Sequence, residues 1–508
     1  MNHVLCGLAA NESLPFELVA RLIAVADADI ADRLASRADL SREQAVDLAT
    51  RVEESAVRLA YEGRLTAADI NPLTQSRAAL ALLDECSGDP EWARLFAQDP
   101  DAGRREKLAA CPGLPADVRE TLAADPDVRV VAELALWATA DLAARLARHP
   151  HAEVRRAVAA NEATPPQVLA MLITGEGLPP AERCLVCDDE ETPYVHDSHC
   201  PRLDCDLRSG TSCAGAHEST IHEMTEQALR NPATPVEALL GFADHPSALV
   251  RCQLAARSDL PSETAARLAG DPAPGVRAEL AENPAIDDAL IRVLAADRGH
   301  DVQRRLAHNP RVPLDILFDL AAATKIGSAL LPRIASASPS EIEYLSRSSN
   351  SVVRMLLAER PDLPAEIRNV LADDPDAKVV KSIARHPGLS ETQLRSMVER
   401  HGVRVVARVA ANPETPPALL DALTRHLPPV RKALREIARH RNATGPALLA
   451  CLTDRRARRV AAGHPALPPE AVTELLADDD WQVAEAAAAN PSLPAAVMVE
   501  LVLGLNGA

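Results

Sequence analysis

Aromatic residues are scarce: 4 Phe, 3 Trp and 3 Tyr make up 2% of the 508 residues. A β-sandwich or barrel draws on aromatic and β-branched side chains for its core, so an all-β fold is disfavoured. Cationic excess is missing as well. The formal net charge is −19, which argues against a general phosphate-backbone binder, because such binding rests on Lys and Arg displacing counterions. There is no apolar run of the ~18 residues needed to span a bilayer, and residues 1–25 lack a basic start followed by an unbroken apolar segment. The expectation is a cytoplasmic chain without membrane association, in which cysteines serve as thiols or metal ligands. A Gly-rich phosphate loop, a nucleophile elbow, H-E-x-x-H and the kinase motifs are all absent. Nothing in the sequence argues for an enzyme.

What is abundant is punctuation. The chain holds 40 Pro, and its apolar content is mostly Ala and Leu, which suits short helices packed closely. At 508 residues it exceeds what one globular core usually supports, so several domains or a repeat array are expected. The array is visible in VRCQLAARSDLP (250–261), VRAELAENPAID (276–287), VQRRLAHNPRVP (302–313), VRMLLAERPDLP (353–364) and VVARVAANPETPP (405–417). The residue closing the L-A-x step falls at Arg257, Asn283, Asn309, Arg360, His386 and Asn412, spaced by 26 within each run of three. Weaker copies follow at His440, His464 and Asn490. In the first half the same beat passes through Asn11, Arg37, Glu62, Glu85, Cys111, Trp137 and Asn161.

Each unit reads as two short helices. In V-R-x-x-L-A the Val, Leu and Ala share one helical face. The Asn-Pro or His-Pro step ends the helix, since Pro disfavours helical geometry in the residue before it. Thr-Pro then starts the second helix, with Thr expected as cap and Pro in the first turn. Helices this short are marginal alone and must stack on their neighbours. The fold expected is all-α: an elongated α-solenoid of about 18 two-helix repeats, with units at 1–174 and 224–508 on either side of an insertion at 175–223.

The pattern V-R-x-x-[LV]-A-x-N-P-x-T-P-x-x-x-L-x-x-L, best matched at 154–172, 276–294 and 405–423, resembles the leucine-rich repeat variant family. That resemblance implies alternating α and short 3₁₀-type helices in a right-handed superhelix. Some members carry a separate cysteine cluster holding an iron–sulfur centre. Here the cysteine-rich segment interrupts the array, and its spacing does not match those ligands residue by residue.

The interruption is measurable. From Asn161 the next good anchor is Asn231, 70 residues on, so one period of 26 leaves 44 residues over. Residues 184–224 contain Cys184, Cys187, Cys200, Cys205 and Cys213 with His196, His199, His217 and His222. A C-x2-C pair lets two thiolates reach one ion, and a second pair closes a tetrahedron. Cys184, Cys187, His196, Cys200 and Cys205 form the expected metal set, with Cys200 and Cys205 as second pair or His196 and Cys200 as an H-x3-C pair. Cys213, His199, His217 and His222 remain further candidates. Structural zinc is the first reading, because a polar insertion needs a cross-link to be ordered. An iron–sulfur cluster is the second, and free thiols in a loop the third.

The scattered Cys6, Cys86, Cys111, Cys252 and Cys451 read as small buried apolar residues. The anchoring Asn and His residues read as helix terminators that bond backbone in the turn. Arg155, Arg251, Arg277 and Arg354 line up after the repeated Val and are expected to pair with Asp and Glu; phosphate binding is the lesser reading. Arg455, Arg456, Arg458 and Arg459 are the densest basic patch, without interleaved aromatics for base stacking. Together these expectations describe a non-enzymatic scaffold with a structural zinc site, binding a protein or peptide on a concave surface. An iron–sulfur redox or sensing protein and a nucleic-acid-binding solenoid are the alternatives.

Overall fold

The computed structural model describes residues 2–188 and 217–504. Among them there is no β-strand, only the isolated bridge between His151 and Arg183, and the fold is all-α, built of many short helices. Two compact units are present. One comprises residues 72–327 and 331–336; the other comprises residues 1–71, 328–330 and 337–508. The described ends of the insertion, 175–188 and 217–223, belong to the first of these.

One repeat explains the rest. Pro274 opens the Pro274–Glu282 helix, where a missing N–H costs nothing, and the helix buries Val276, Leu280 and Ala281. Asn283 leaves helical geometry at the C-cap. Asp287 caps the second helix, accepting from the Leu290 N–H at 2.9 Å, and Asp288–Ala295 buries Leu290, Ile291 and Leu294. Asp297 then accepts from the Gly299 N–H at 2.7 Å, turning the chain into the next unit.

The anchoring residues bond across repeats as well as within the turn. Asn283 Nδ2 donates to the carbonyls of Ala255 (2.8 Å) and Arg257 (2.7 Å), 28 and 26 residues earlier, while its Oδ1 accepts from the Ala285 N–H at 2.9 Å. Asn309 repeats this on Ala281 and Asn283, and Asn412 on Ala384 and His386. Arg257 uses its guanidinium for the same job, reaching Leu229, Asn231 and Thr234 carbonyls. Histidine substitutes because a neutral imidazole carries one donor and one acceptor. His440 Nε2 donates to the Asn412 carbonyl at 2.7 Å and Nδ1 accepts from the Asn442 N–H at 3.0 Å.

In the first half the beat is looser than the spacing suggests. Glu62 is exposed and pairs with Arg58, and the cross-repeat bonds come from Arg64 to the Arg37, Ala38 and Leu40 carbonyls. Trp137 is 67% exposed and Glu85 is exposed, so neither is a rung.

Two further expectations are corrected. Thr164, Thr234 and Thr415 do not cap the following helix. Their hydroxyls donate back to Val158, Ala228 and Val409 carbonyls at 2.7, 2.5 and 2.6 Å. Pro165, Pro235 and Pro416 hold the N-cap position, which leaves each Thr one residue too early to reach the orphan N–H groups. Most second helices are α; among the described residues 3₁₀ geometry is confined to Ala67–Asp69, Val236–Ala238, Leu240–Asp244 and Gly402–Arg404.

The arginine stripe is internally paired. Arg251, Arg277 and Arg354 each grip the aspartate 20 residues on: Asp271 (2.7 Å), Asp297 (2.6 Å) and Asp374 (2.6 Å). Arg105–Asp125 follows the same rule at 2.7 Å. Each of the four also donates to a carbonyl six residues before it. Arg155 is the exception and donates to the Pro179 carbonyl instead.

Within the unit that holds residues 1–71 and 337–508, Asn11 Nδ2 donates to the carbonyls of Ala488 (2.9 Å) and Asn490 (2.7 Å).

Asn412 is fully buried, so Asn412→Ala leaves two carbonyls and one N–H without partners. Chemical denaturation is expected to show a loss of about 2–4 kcal/mol, and Asn412→His, which keeps one donor and one acceptor, a smaller one. Burial pushes the His386 and His464 pKa values down, against the opposing pull of the carbonyls they donate to. A histidine depressed on folding stabilises fully above its unfolded pKa of about 6.5, and that contribution falls as pH drops through the folded value. The double variant His386→Asn/His464→Asn should therefore lose less stability than wild type between pH 7 and pH 5, measured by urea denaturation.

Candidate metal centre

The insertion leaves the array after the Pro166–Thr174 helix, which ends on Gly175 in the left-handed conformation, φ 74°. It returns at the Glu218–Arg230 helix. The array is continuous past it, because Asn231 Nδ2 donates to the carbonyls of Ala159 (3.1 Å) and Asn161 (2.9 Å). The two ends of the insertion are thereby held beside the Ala152–Ala160 helix.

Arg155 shows how the first end is fixed. Its repeat has Gly175 where the paired aspartate would stand, 20 residues on. The guanidinium instead donates to the Pro179 carbonyl at 2.7 Å and the His149 carbonyl at 2.6 Å. Next, the Glu182 N–H donates to the Pro150 carbonyl (2.8 Å) and the Ala152 N–H to the Arg183 carbonyl (2.9 Å). Cys184, 1% exposed, then packs on Ala152, with Ala181 and Val186 alongside. The Asp188 N–H closes the Cys184–Cys187 turn on the Cys184 carbonyl at 3.1 Å. Asp188 also bridges Arg183 (2.9 Å) and His151 (3.2 Å). Burial pulls the Asp188 carboxyl upward, but those two donors outweigh it and hold its pKa below the usual range. His151 is itself shifted down, by burial, against the pull of Asp188.

The second end is fixed from the other side. Thr220 donates to Glu153 at 2.9 Å, and Arg156 bridges Glu153 (3.1 Å) and Glu223 (3.2 Å). His217, 4% exposed and with φ 53°, sits at the N-cap of the returning helix.

These two anchored ends bring Cys184, Cys187 and His217 together. Cys184 Sγ lies 3.6 Å from Cys187 Sγ, and Cys187 Sγ lies 3.5 Å from His217 Nδ1. All three ligand atoms lie within 4.8 Å of one another. A disulfide would need ~2.05 Å between the sulfurs, so the pair is not one. With metal–sulfur and metal–nitrogen bonds of ~2.3 and ~2.05 Å, a tetrahedron sets sulfur–sulfur edges near 3.8 Å and sulfur–nitrogen edges near 3.6 Å. The Cys184–Cys187 and Cys187–His217 separations match those edges. The group can hold a metal.

Of the expected set, Cys184 and Cys187 are in this group. His196, Cys200 and Cys205 lie outside the described residues, as do His199 and Cys213. His217 was only a secondary candidate; its sequence signal is its place immediately before the array resumes, opposite the C-x2-C pair across the neck of the insertion. His222 lies one turn further on and pairs with Glu226 at 3.0 Å.

Leu185, between the two cysteines, forms one wall of a groove of about 320 Å³ whose other sides include Ala132, Glu133, Leu136, Ala157 and Gln227. The Cys184–Cys187 turn thus shapes a surface that runs across successive repeats.

The remaining cysteines divide. Burial pushes the Cys111 and Cys451 thiols up to about 12 and the Cys6 thiol up to about 11, so all three are protonated near neutrality. Cys252 is half-buried. Cys86 contradicts the expectation of burial: it is exposed, with φ 54°, just past the end of the Ser76–Asp84 helix. Glycine usually fills that left-handed position.

No protein-family model matches the chain, and no curated protein matches it. The crystal structure of an engineered protein from the Northeast Structural Genomics Consortium aligns over 96% of this chain and 98% of its own. The identity is 15% and the TM-score 0.15, too low for the likeness to bear on the fold. Among the described residues no helix is long and apolar enough to cross a membrane.

Elemental analysis of anaerobically purified protein is expected to find about one metal ion per chain. Cys184→Ser/Cys187→Ser should abolish it, and a chelator should lower the melting temperature of wild type but not of that variant.

Proposed function

We propose that this chain is a non-enzymatic, cytoplasmic interaction scaffold. Its helix pairs stack as an α-solenoid of the leucine-rich repeat variant type, and a structural zinc ion orders the insertion as a docking element. The observation that carries the reading is the Cys184–Cys187–His217 group, whose base is tied to the Ala152–Ala160 helix and whose Leu185 enters the inter-repeat groove. Zinc suits a donor set of two thiolates and an imidazole spaced for one tetrahedral ion. In a [4Fe–4S] cluster each thiolate holds a different iron, which sets the sulfurs further apart than 3.6 Å.

Two features weigh against nucleic acid. Arg251, Arg277 and Arg354 are taken up by aspartates and Arg155 by backbone carbonyls, so the stripe presents no row of free guanidiniums. Arg455 and Arg458 share their groove with Asp478, Asp479 and Asp480, so the basic patch is opposed by carboxylates rather than continued.

Affinity capture from a cell extract should recover a protein partner with wild type and lose it with Leu185→Asp at unchanged metal content, which separates loss of the groove wall from loss of the donor group. An unchanged set of captured proteins removes the docking role. A brown preparation with iron and sulfide would replace zinc by a cluster.

A further inference from the structure

The end face of the last repeat is covered by the first repeat of the same chain. On an ordinary rung, Asn490 donates to Ala462 (2.7 Å) and His464 (2.9 Å), 28 and 26 residues earlier, and accepts from the Ser492 N–H at 2.8 Å. Asn11 makes the same three bonds, to Ala488, Asn490 and the Ser13 N–H. It stands where a residue 26 places beyond Asn490 would stand. Arg37 then uses the Ala9 (3.0 Å) and Asn11 (2.6 Å) carbonyls as its own rung.

The seam is packed as a repeat interface. A Cβ at Gly7 would lie 2.1 Å from the Glu485 carbonyl oxygen and 2.9 Å from the Ala488 Cβ, so only glycine allows this approach. Arg33 pairs with Glu485 at 3.0 Å. The His3 and Trp481 rings stack with centroids 4.3 Å apart. Leu8 and Ala9 are fully buried. Unlike other rungs, this one joins segments with no short covalent link between them.

We propose that the end face built by Trp481, Glu485, Ala488 and the Asn490 carbonyl is a docking surface for the first repeat of a second copy of this chain. In an isolated molecule residues 2–37 of the same chain occupy it, because an intramolecular partner is present at high effective concentration. When that seam opens, two complementary faces are exposed on one molecule, and exchange between copies satisfies both.

Charge reversal across the seam tests this on the full chain. Arg33→Glu and Glu485→Arg each place like charges together within one molecule, whereas a mixture of the two can match opposite charges at both seams of an exchanged dimer. The doubly substituted chain is matched within itself. Hydrogen exchange at residues 2–10 should rise about tenfold or more in each single variant, and remain slow in wild type and the doubly substituted chain, both monomeric by light scattering. An equimolar mixture of the single variants should run as a heterodimer with slow exchange restored. A mixture that stays monomeric with fast exchange overturns the proposal. If the single variants still exchange slowly, Gly7→Leu and Ala488→Trp decide: each blocks its own seam, but the first keeps its end face and the second its first repeat. Their mixture must give a heterodimer joined through that one intact seam, and persistence of monomers overturns the exchange.

Discussion

The structure depends on one recurring bond pattern: a side chain at the end of a first helix donates into the carbonyls left open at the end of the first helix before it. Helix C-termini leave carbonyls without intrahelical partners, and an array of short helices multiplies that problem at every repeat. Asn283, Asn309, Asn412 and Asn490 solve it with a carboxamide whose other end accepts a local N–H. Arg257 solves it with the guanidinium fork and His440 with an imidazole whose other nitrogen accepts a local N–H. The residue type varies, but each answers the same backbone demand.

The same logic explains why a long insertion is tolerated between Asn161 and Asn231. The rung there closes normally, so the extra residues leave and return without breaking the stack. Their entry replaces one missing ion pair: Arg155, without its aspartate, takes insertion carbonyls instead. The ends of the insertion are thus held by the array itself. The Cys184–Cys187 turn packs on Ala152, and the helix after His217 is tied to Glu153.

The periodic part was legible residue by residue. The 26-residue beat, the buried Val, Leu and Ala positions and the pairing of Arg251, Arg277 and Arg354 with carboxylates all follow from spacing and chemistry. The looser first half was less so, because Glu62, Glu85 and Trp137 occupy the expected position without the needed donor geometry. In the insertion, His217 is brought to Cys184 and Cys187 by helices distant in sequence, which spacing alone does not show; His196, Cys200 and Cys205 lie outside the described residues.

The sequence by itself determined that the chain is all-α, where its helices stop, and which side chains carry hydrogen-bonding capacity at each stop. Only the tertiary structure decided where that capacity is spent. A carboxamide in a turn can satisfy its own loop or its neighbour's carbonyl, and the choice depends on which orphan group lies within about 3 Å in space. The Thr-Pro steps spend their hydroxyls backward for that reason. The return of Asn11 onto Ala488 and Asn490 is the extreme case, since local pattern gives each rung its donor but says nothing about which acceptor the fold will bring to it.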